Sequence, residues 1–551
     1  MIRNDKSLKG VIVLWLILPL AACSNLLTSR PVLNVSSNGT PSDTGDTEIP
    51  RATAPELLNF EDLVQLSAIA EPEGELRRKL ESLLNFPFVD NGPFYTGVEA
   101  RRPHHTLLGP VLRACQWNIE RGINFDWILL ALSNADEFLK RISIESGAGK
   151  NEIPIIAEQL KAIGEIDLLI LNEVDYGVTR TNYRNVAKEI AGALQMNYAF
   201  GVDFIEVDKL NLGLETIAVE DPEVAREFQK QFDVDPSLYK GLHGTAVLSR
   251  YPISNVRIKR LTKCYDWYNE EKESISKLEK GKRVMAKTIF LERISRELRH
   301  GSRIALIADL TVPELPDGRA TVVATHLESK CSPKERRLQM EEILTWIRDI
   351  GNPVILAGDL NTSGGTGSPT SANREVRKRL KSRTFWTKQV INYLNPLGWF
   401  RLFELPGRYF KNYQDPTVVH VPLFAPNHEA GLFKSLKEFR FTDGFAFDFR
   451  GQKERTTKDR EKTLANSNKR TQKGFKPTFE FERDYGGIMG EYKLDWFLIK
   501  AFLSDPDDER GSYHFAPHFP MTMEELDEAP PERISDHFPI TVDLPLNEPS
   551  L

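Results

Sequence analysis

The stretch Pro353-Val354-Ile355-Leu356-Ala357-Gly358-Asp359-Leu360-Asn361-Thr362 contains the features on which the fold assignment depends. Its first five residues are a short apolar run, which is typical of a buried strand. Asp359 and Asn361 follow, two residues apart and therefore on the same side, ahead of a loop rich in Gly. An acid and an amide at a strand end can hold a reacting water, but they also often begin an ordinary turn. Alone, this stretch favours the turn, so the choice between a turn and a functional site depends on the other predicted strands.

Polar residues recur at the ends of other strand-like runs along the chain, at residues 111–120, 167–172, 320–327, 493–499 and 534–542. A charged side chain in or beside an apolar strand normally needs a partner. Because such residues recur from strand to strand, they predict a common site at one edge of a layered sheet. The set is Asn118, Glu173, His326, Asp359, Asn361, Asp495, Asp536 and His537.

Helical patterns alternate with these strands. Apolar spacing predicts helices over residues 125–145, 153–163 and 333–350. Residues 282–291 and 304–310 are predicted to be paired strands. This alternation is typical of a layered α/β domain.

The residue types in the set suit hydrolysis of a phosphate ester. Carboxylate and amide oxygens are ligands that Mg²⁺ or Mn²⁺ prefers, and the sequence has no Cys/His cluster at zinc spacing. A carboxylate can take a proton from water, and a protonated histidine can donate one to a leaving oxygen. A metal ion would offset charge on the phosphate during in-line displacement.

As an ordered set, these motifs resemble the endonuclease/exonuclease/phosphatase superfamily. That superfamily includes deoxyribonuclease I, exonuclease III, neutral sphingomyelinases and inositol-polyphosphate phosphatases. The resemblance covers roughly residues 110 to 545. The matching stretches are Gln116-Trp117-Asn118-Ile119, Leu171-Asn172-Glu173-Val174-Asp175, residues 244–253, Thr325-His326-Leu327-Glu328-Ser329, Gly358-Asp359-Leu360-Asn361-Thr362, Leu494-Asp495-Trp496 and Ser535-Asp536-His537-Phe538-Pro539-Ile540.

The resemblance implies an α/β fold, a two-sheet β-sandwich flanked by helices as in deoxyribonuclease I, with the site at the top. It implies Glu173 as the principal carboxylate for Mg²⁺ or Mn²⁺, with Asn118 beside it. Asp359 would orient or deprotonate the attacking water, helped by Asn361. Asp495 would hold the catalytic groups or a second metal.

The resemblance also implies roles for the remaining site residues. His537, oriented by Asp536, would contact the phosphate, and Asp536 counts among the metal ligands as well. His326 would act as an acid near the leaving group. The chain departs from the family at Thr245, where Asn is frequent, and residues 185–240 and 370–490 are longer than a minimal member needs. These insertions could set substrate choice, so the resemblance implies no particular substrate.

The N-terminus predicts export and membrane attachment. A basic region and an apolar run lead to Leu20-Ala21-Ala22-Cys23, which resembles the lipobox of bacterial lipoproteins. Acyl chains on Cys23 would anchor the protein to a membrane of the bacterial envelope, facing the periplasm or exterior. The alternative is an ordinary cleaved signal with a chance cysteine.

The sequence also predicts a division into segments. Residues 1–23 are a signal peptide, 24–54 a flexible tether and 55–110 a helical extension. Residues 111–545 are the catalytic domain, with an insertion at about 370–490. Within the insertion, Lys453 to Lys476 carries nine basic residues against three acids, which favours a solvated, mobile surface that modulates substrate affinity.

Three cysteines remain after the predicted signal, namely Cys115, Cys264 and Cys331. They allow at most one internal disulfide. Cys115 lies within a strand-like run and is expected to be a small buried hydrophobe.

The predicted function is that of a metal-dependent phosphoester hydrolase. Its substrate would be a nucleic acid, a phospholipid head group or a small phosphorylated molecule. The net charge of −6 does not favour nucleic acid, so a phospholipase C-like activity competes with a nuclease. The alternative is an inert lipoprotein that uses the fold as a binding scaffold. The intact set of acids and histidines argues against it, because unpaired buried charges are costly.

Overall fold

The computed structural model describes residues 49–106, 108–146, 152–215, 233–280, 297–315, 317–363, 416–417, 420–421, 425–449, 466–471, 474–480, 491–503 and 513–547. The predicted signal peptide, Cys23 and nearly all of the tether lie outside the described residues. The same holds for the predicted strand at 282–291 and most of the insertion. Residues Thr47–Leu551 form one compact unit.

The strands of the described residues build two large sheets and several short hairpins. In chain order they are β1 (Ala52–Thr53), β2 (Phe88–Asp90), β3 (His104–His105), β4 (Gly109–Arg121), β5 (Leu168–Tyr176), β6 (Asn197–Glu206), β7 (Leu242–Ser249), β8 (Ile253–Arg260), β9 (Arg299–Gly301), β10 (Ile304–Thr311), β11 (Arg319–His326), β12 (Val354–Asp359), β13 (His420–Val421), β14 (Ala425–Pro426), β15 (Arg470–Thr471), β16 (Gly474–Phe475), β17 (Phe479–Glu480), β18 (Glu491–Tyr492), β19 (Asp495–Lys500), β20 (Phe502–Leu503), β21 (Tyr513–His514), β22 (His518–Thr522) and β23 (Ile540–Pro545).

Sheet I has the strand order β1-β2-β6-β7-β5-β4-β23-β22, with β3 paired to β4 and β9 paired to β6. Sheet II has the order β19-β12-β11-β10-β8. In both sheets one central pair is parallel, β4 with β5 and β11 with β12. Each parallel pair is connected through helices, as a parallel connection requires.

The helices lie along the chain as follows: α1 (Phe60–Ala68), α2 (Gly74–Asn85), α3 (Gly92–Tyr95), α4 (Phe125–Ser133), α5 (Ala135–Glu145), α6 (Ile153–Gly164), α7 (Val186–Leu194), α8 (Trp267–Lys280), α9 (Pro333–Ile347), α10 (Ala430–Glu438) and α11 (Glu524–Glu528). Ser332 begins α9 with a capping box that includes Glu335, and Pro333 occupies the first turn. None of the helices in the described ranges is long and apolar enough to cross a membrane.

The strands bury alternate residues on opposite faces, which produces the layers. On β5, Leu168 and Ile170 join a core shared with sheet II, whereas Leu169 and Leu171 face helices α4 to α7. On the other side of the sandwich, sheet II packs against α9 and α10. The order of layers is therefore helix, sheet, sheet, helix, which confirms the predicted α/β sandwich flanked by helices.

The predicted pairing of residues 282–291 with 304–310 is wrong. Strand β10 is bonded to β8 along one edge and to β11 along the other, so no edge remains for a third strand. The sequence pattern identified the strand but not its neighbour, because β8 lies much earlier in the chain.

The N-terminal extension is more than a pair of helices. Helices α1 and α2 pack on the core of sheet I, and Asn59 begins α1 with a capping box. The extension also supplies β2, and β1 pairs with it, so that the two strands continue sheet I from β6. Two residues assigned to the tether, Ala52 and Thr53, are thus part of the sheet.

The second half of the basic stretch is not a mobile surface. Asn468 donates hydrogen bonds to the carbonyl oxygens of Phe449 and Phe497, and Ser467 donates to that of Phe497 as well. Phe475 is fully buried, edge-on to the ring of Trp496. Residues 466–471 and 474–476 are therefore anchored to sheet II, and the prediction of mobility is wrong for them. Residues 453–465 lie outside the described residues.

Candidate active site

Three neighbouring strands of sheet II bring His326, Asp359 and Asp495 side by side. Because β19 runs antiparallel to β11 and β12, its first residue meets the last residues of the other two at one edge. The register pairs Asp359 with His326 on one side and with Asp495 on the other. All three residues are at most 1% exposed. The sheet therefore collects residues that are widely separated in sequence.

Sheet I supplies Asn118, Asn172 and Glu173 to the same place. The β5–β7 register shifts between Leu171 and Val174, which marks a bulge at Asn172 and Glu173. Glu173 has a φ of +52°, outside the range of a regular strand. In a regular strand these two consecutive side chains would point to opposite faces. The bulge instead lets both reach the site.

One carboxylate oxygen, Oδ2 of Asp359, is the point on which three donors converge. Nε2 of His326 lies 3.3 Å away, Nδ2 of Asn118 3.3 Å and Nε2 of His537 3.7 Å. The other oxygen, Oδ1, accepts the backbone N–H of Asn361 at 2.8 Å. Burial alone would raise the pKa of Asp359, but these histidines lower it below its usual value, so the carboxylate is ionised.

His537 is held by Asp495 and not by its sequence neighbour Asp536. Nδ1 of His537 donates to Oδ2 of Asp495 at 2.7 Å, while Oδ1 of Asp495 accepts from Gln116 Nε2 at 3.0 Å. Burial alone would lower the pKa of His537, but Asp495 and Asp359 raise it well above its usual value. The buried imidazole is therefore an imidazolium at neutral pH.

The expected role of Asp536 as the residue that orients His537 is corrected by this contact. Consecutive residues of an extended segment point in different directions, so the carboxylate next in sequence is not the one in contact. Asp536 is buried nearby, and its charge also raises the pKa of His537. Its assignment as a metal ligand stays a prediction.

The tautomer of His326 follows from its partner Arg303. The guanidinium NH1 lies 2.9 Å from Nδ1 of His326. A guanidinium can only donate, so Nδ1 accepts and the ring proton is on Nε2, facing Asp359. The contact favours a hydrogen-bond donor over the imidazolium acid that the resemblance implies.

The residues present fit a hard divalent cation at Glu173. Burial alone would raise the pKa of Glu173, but nearby cationic groups, Arg121 among them, lower it, so an ionised carboxylate stands at the rim of the site. Nδ2 of Asn118 lies 3.4 Å from Oε1 of Glu173. Since Oδ1 of Asn118 accepts the backbone N–H of Glu120, the amide would have to turn to offer its oxygen to a metal.

A second set of ligand atoms, from Asp359, Asp495 and His537, lies within 4.8 Å of one another. The hydrogen bond between Nδ1 of His537 and Oδ2 of Asp495 accounts for this proximity. Glu173 is therefore the better position for a cation. The predicted use of Asp495 for a second metal finds no support in this hydrogen bond.

Asn361 has a positioning contact in addition to its turn. Its side-chain N–H donates to the carbonyl of Leu327 at 2.8 Å, which ties the end of β12 to the end of β11. Its φ of +50° turns the chain immediately after Asp359. Both interpretations of this stretch, the turn and the site, therefore apply to the same residues.

Sequence reasoning missed Gln116, Asn172 and Arg303 as site residues. Gln116 and Asn118 stand two apart on β4 and so share a face, a signal that was present in the sequence. Asn172 Oδ1 accepts both Gln116 Nε2 and the backbone N–H of Asp359, which joins the two sheets. Arg303 gave no such signal, because it lies in the short segment between β9 and β10, beyond any of the recognised motifs.

The departure at Thr245 is accommodated within the same network. The Thr245 hydroxyl accepts a hydrogen bond from Asn172 Nδ2 at 3.4 Å. It donates one to Oδ2 of Asp203, also at 3.4 Å. Burial raises the pKa of Asp203 to about 6. Thr245 thus helps to position the Asn172 side chain by a hydrogen bond.

The chain is similar to several solved structures, at low identity. The first is an endonuclease/exonuclease/phosphatase from Beutenbergia cavernae DSM 12333, at 16% identity over 79% of this chain and 71% of that chain, with a TM-score of 0.36. The human Nocturnin catalytic domain with bound sulfate has 15% identity, coverages of 79% and 93% and a TM-score of 0.27. A Neisseria 3′ phosphatase bound to a product DNA hairpin has 11% identity, coverages of 79% and 99% and a TM-score of 0.33. Likenesses this distant carry no argument about activity.

Comparison with curated protein sequences gives no match. The sequence model of one family does match, over residues 115–537, and this range contains every site residue described above. The match spans more than half of the chain and includes all of sheet II and the centre of sheet I. On that basis, the chain belongs to the Endonuclease/Exonuclease/phosphatase family.

Proposed function

We propose that this protein is a metal-dependent phosphoester hydrolase. Phosphoester hydrolysis is the general activity of the family to which the chain belongs. The observation that carries the proposal is the convergence of three N–H donors, from Asn118, His326 and His537, on one oxygen of Asp359. Three N–H donors around one carboxylate, beside the ionised Glu173, could bind the oxygens of a phosphoryl group and of an attacking water.

Glu173 and Asn118 are the proposed holders of the cation. A bound Mg²⁺ or Mn²⁺ would supply charge neutralisation at the phosphate. The bulge positions the Glu173 side chain, and Arg121, whose Nε lies 4.0 Å from Oε2, helps to keep the carboxylate ionised. This separation leaves the carboxylate oxygens less engaged than a direct bidentate ion pair would.

Asp359 is the proposed residue that orients and deprotonates the water. Its low pKa keeps it ionised, and its second oxygen is fixed by the backbone of Asn361. A carboxylate with one oxygen fixed and the other directed at the site can accept a proton without changing its position. Asn361 contributes by fastening this strand end to Leu327.

His537 is the proposed phosphate-binding cation. Its Nδ1 is engaged by Asp495, and its Nε2 has no hydrogen-bond partner among the described residues. A buried N–H without a partner is costly, so a ligand that satisfies it gains that interaction in full. A phosphoryl oxygen is an acceptor of the required charge. Asp495 and Gln116 keep the ring in place.

His326 is proposed to donate a hydrogen bond to the leaving oxygen. Because Arg303 occupies Nδ1, only Nε2–H remains to be donated. This N–H would stabilise the developing negative charge by a hydrogen bond more than by proton transfer. The expected acid role is thereby reduced to that of a donor.

The proposed location is the surface of a membrane in the bacterial envelope, with Cys23 carrying the lipid. The motif Leu20-Ala21-Ala22-Cys23 supports it, together with the leader that precedes it. Metabolic labelling with a clickable fatty acid tests the proposal. We expect label on the wild type and none on Cys23→Ser, and equal labelling of the two would contradict lipidation.

Glu173→Gln tests the activity. The full-length protein is solubilised in detergent and assayed on bis(p-nitrophenyl) phosphate and on DNA, RNA, sphingomyelin and inositol phosphates, with Mg²⁺ and with a chelator. We expect the chelator and Glu173→Gln each to abolish turnover, because both remove the cation or its charged ligand. The exposed acid Glu158 offers a matched control, and Glu158→Gln should behave as the wild type. Full activity of Glu173→Gln, or of the wild type in chelator, would reject the proposal.

A further inference from the structure

Two cysteines from separate segments meet beside the active site. Cys264 lies in the connection between β8 and α8 and is partly exposed, while Cys331 lies in the turn between β11 and α9 and is 2% exposed. The neighbouring Cys264 thiol, ahead of burial, raises the pKa of the Cys331 thiol, which places the two side chains next to each other. The two segments are therefore already aligned at these residues.

Gln339 on α9 fixes this alignment. Its Nε2 donates to the carbonyl of Thr262 at 3.0 Å and lies 3.5 Å from Sγ of Cys264. Its Oε1 accepts the backbone N–H of Glu328 at 3.0 Å, and Cys331 Sγ donates to the carbonyl of the same residue at 3.2 Å. One buried side chain thus binds the segments that carry both thiols.

We propose that Cys264 and Cys331 form a disulfide bond in the mature protein. The proposal uses the export suggested above, since disulfides form and persist outside the reducing cytosol. The other candidates are accounted for. Cys23 is the proposed lipid site, and Cys115 is fully buried in β4, facing the core.

The bond would form by exchange with an external disulfide, such as that of an oxidised dithiol protein or of oxidised glutathione. The partly exposed Cys264, as the thiolate, attacks one sulfur of the donor and releases the other as a thiol. Cys331 then loses its proton and attacks the Sγ of Cys264 in the mixed disulfide, which displaces the second donor sulfur. In total, two protons and two electrons pass from the cysteines to the donor, which leaves as two thiols.

The bond would restrict the residues that support His326. Trp267, three residues after Cys264, donates through Nε1 to Oε2 of Glu328 at 2.9 Å. The same oxygen lies 3.7 Å from Nε of Arg303, the residue that holds His326. Joining the two segments would therefore restrict the motion of the support for one of the site's donors.

Peptide mapping tests the bond directly. The full-length protein in detergent is treated with oxidised glutathione, its remaining thiols are blocked with N-ethylmaleimide, and it is digested with trypsin without reduction. Trypsin releases residues 264–272 and 331–334, and we expect them as one linked species that separates on reduction. Cys115→Ala is the matched control and should still give the linked species. Recovery of residues 264 and 331 as separate maleimide or glutathione adducts would overturn the proposal.

Thermal unfolding gives a second readout that needs no activity. The bond encloses a long loop, so oxidation should raise Tm by roughly 5 °C relative to protein kept in dithiothreitol. The double variant Cys264→Ser, Cys331→Ser should match the reduced wild type and ignore the oxidant. An equal response of the double variant and the wild type would count against the bond. Since neither readout involves catalysis, failure here leaves the proposed hydrolase activity separately testable.

Discussion

Two groups of buried charges lie in sheet I and at its junction with sheet II, and they differ in how completely their charges are paired. In the arginine cluster, Arg180 donates to both oxygens of Asp175, at 2.6 and 2.8 Å, and to both oxygens of Glu206, at 2.6 and 2.9 Å. Arg299 adds a further bond to Glu206 at 3.0 Å. In the site, the side-chain donors approach Oδ2 of Asp359 only to between 3.3 and 3.7 Å.

The pKa values do not separate the two groups, because those of Glu206 in the cluster and Asp359 in the site are both lowered. Burial would raise the pKa of Glu206, but Arg180 and Arg299 lower it well below its usual value. In that cluster all four carboxylate oxygens of Asp175 and Glu206 accept from Arg180 in forked pairs. In the site, the N–H of His537 at Nε2 has no hydrogen-bond partner among the described residues. Fully paired buried charges indicate a structural role, and incompletely paired ones indicate a place for substrate.

Asp359→Asn should have the largest effect and tests this distinction at the site. The amide keeps the shape but cannot accept the water's proton or attract the cationic His537. We expect kcat to fall on the order of 10³-fold, the usual contribution of a general base. The measurement is turnover of a phosphodiester together with Tm, which shows whether the variant is folded. Asp126→Asn, at an exposed position of α4, is the matched control. A folded Asp359→Asn enzyme with wild-type kcat would show that incomplete pairing does not mark a functional site here.

Arg180→Met tests the other side of the comparison. It leaves Asp175 and Glu206 buried with reduced pairing, so we expect a loss of about 3–5 kcal/mol in the free energy of unfolding. kcat of the protein that remains folded should change far less than in Asp359→Asn. Denaturant unfolding measures the first quantity, and Arg77→Met, which removes an exposed ion pair with Glu81, should leave it nearly unchanged. Equal losses for the two variants would show that the buried cluster is not structural.

The sequence was informative where the site depends on local pattern. Asn118, Asp359 and His326 each stand at the end of an apolar run, and alternation along a strand is enough to place them at one sheet edge. The order of the motifs along the chain then identified the fold. These features are local, so a single sequence contains them.

The rest depends on contacts between distant segments. The pairing of His537 with Asp495 joins the segment before β23 to the start of β19, and nothing in the sequence distinguishes it from a pairing with the adjacent Asp536. The positive φ of Glu173 belongs to a bulge that is defined by the register with two neighbouring strands. Arg303 acquires its role only because β10 and β11 are paired. Register and bulges are properties of the packed sheets, which local propensity does not determine.

Lys493 offers an intermediate case, a buried cation without a paired carboxylate. It is 1% exposed, its Nζ has no hydrogen-bond partner among the described residues, and it lies 5.0 Å from the centre of the Trp496 ring. Burial lowers its pKa to about 7, against about 10.4 for an unfolded lysine. Between these values the unfolded state binds the proton and the folded state does not, so stability rises with pH from about 7 to about 10.

Lys493→Met should remove that dependence. At pH 7 and below we expect the variant to be more stable than the wild type by about 2–3 kcal/mol, with a difference that shrinks toward pH 10. Denaturant unfolding at a series of pH values measures it. Lys79→Met, which removes a partly exposed lysine paired with Asp62, is the control and should show no such gain. A wild type more stable than Lys493→Met at pH 6 would mean that Lys493 has an effective partner and belongs with the arginine cluster.

The smallest expected effect concerns His326, and it distinguishes a hydrogen-bond donor from an acid. With Nδ1 occupied by Arg303, His326 can offer only a hydrogen bond from Nε2, which is worth about 1.4 kcal/mol or roughly tenfold in rate. His326→Ala should therefore lose roughly tenfold on an alkyl phosphodiester and less on a nitrophenyl ester, and His326→Gln, which retains an N–H donor, should recover part of the loss. A general acid would instead account for about 10² to 10⁴ on the alkyl ester alone. A ¹⁵N spectrum with Nδ1 in the pyridine-like range would support the donor, whereas a loss of that larger size, or an imidazolium spectrum, would show that the contact with Arg303 does not fix the ring and that His326 acts as the acid.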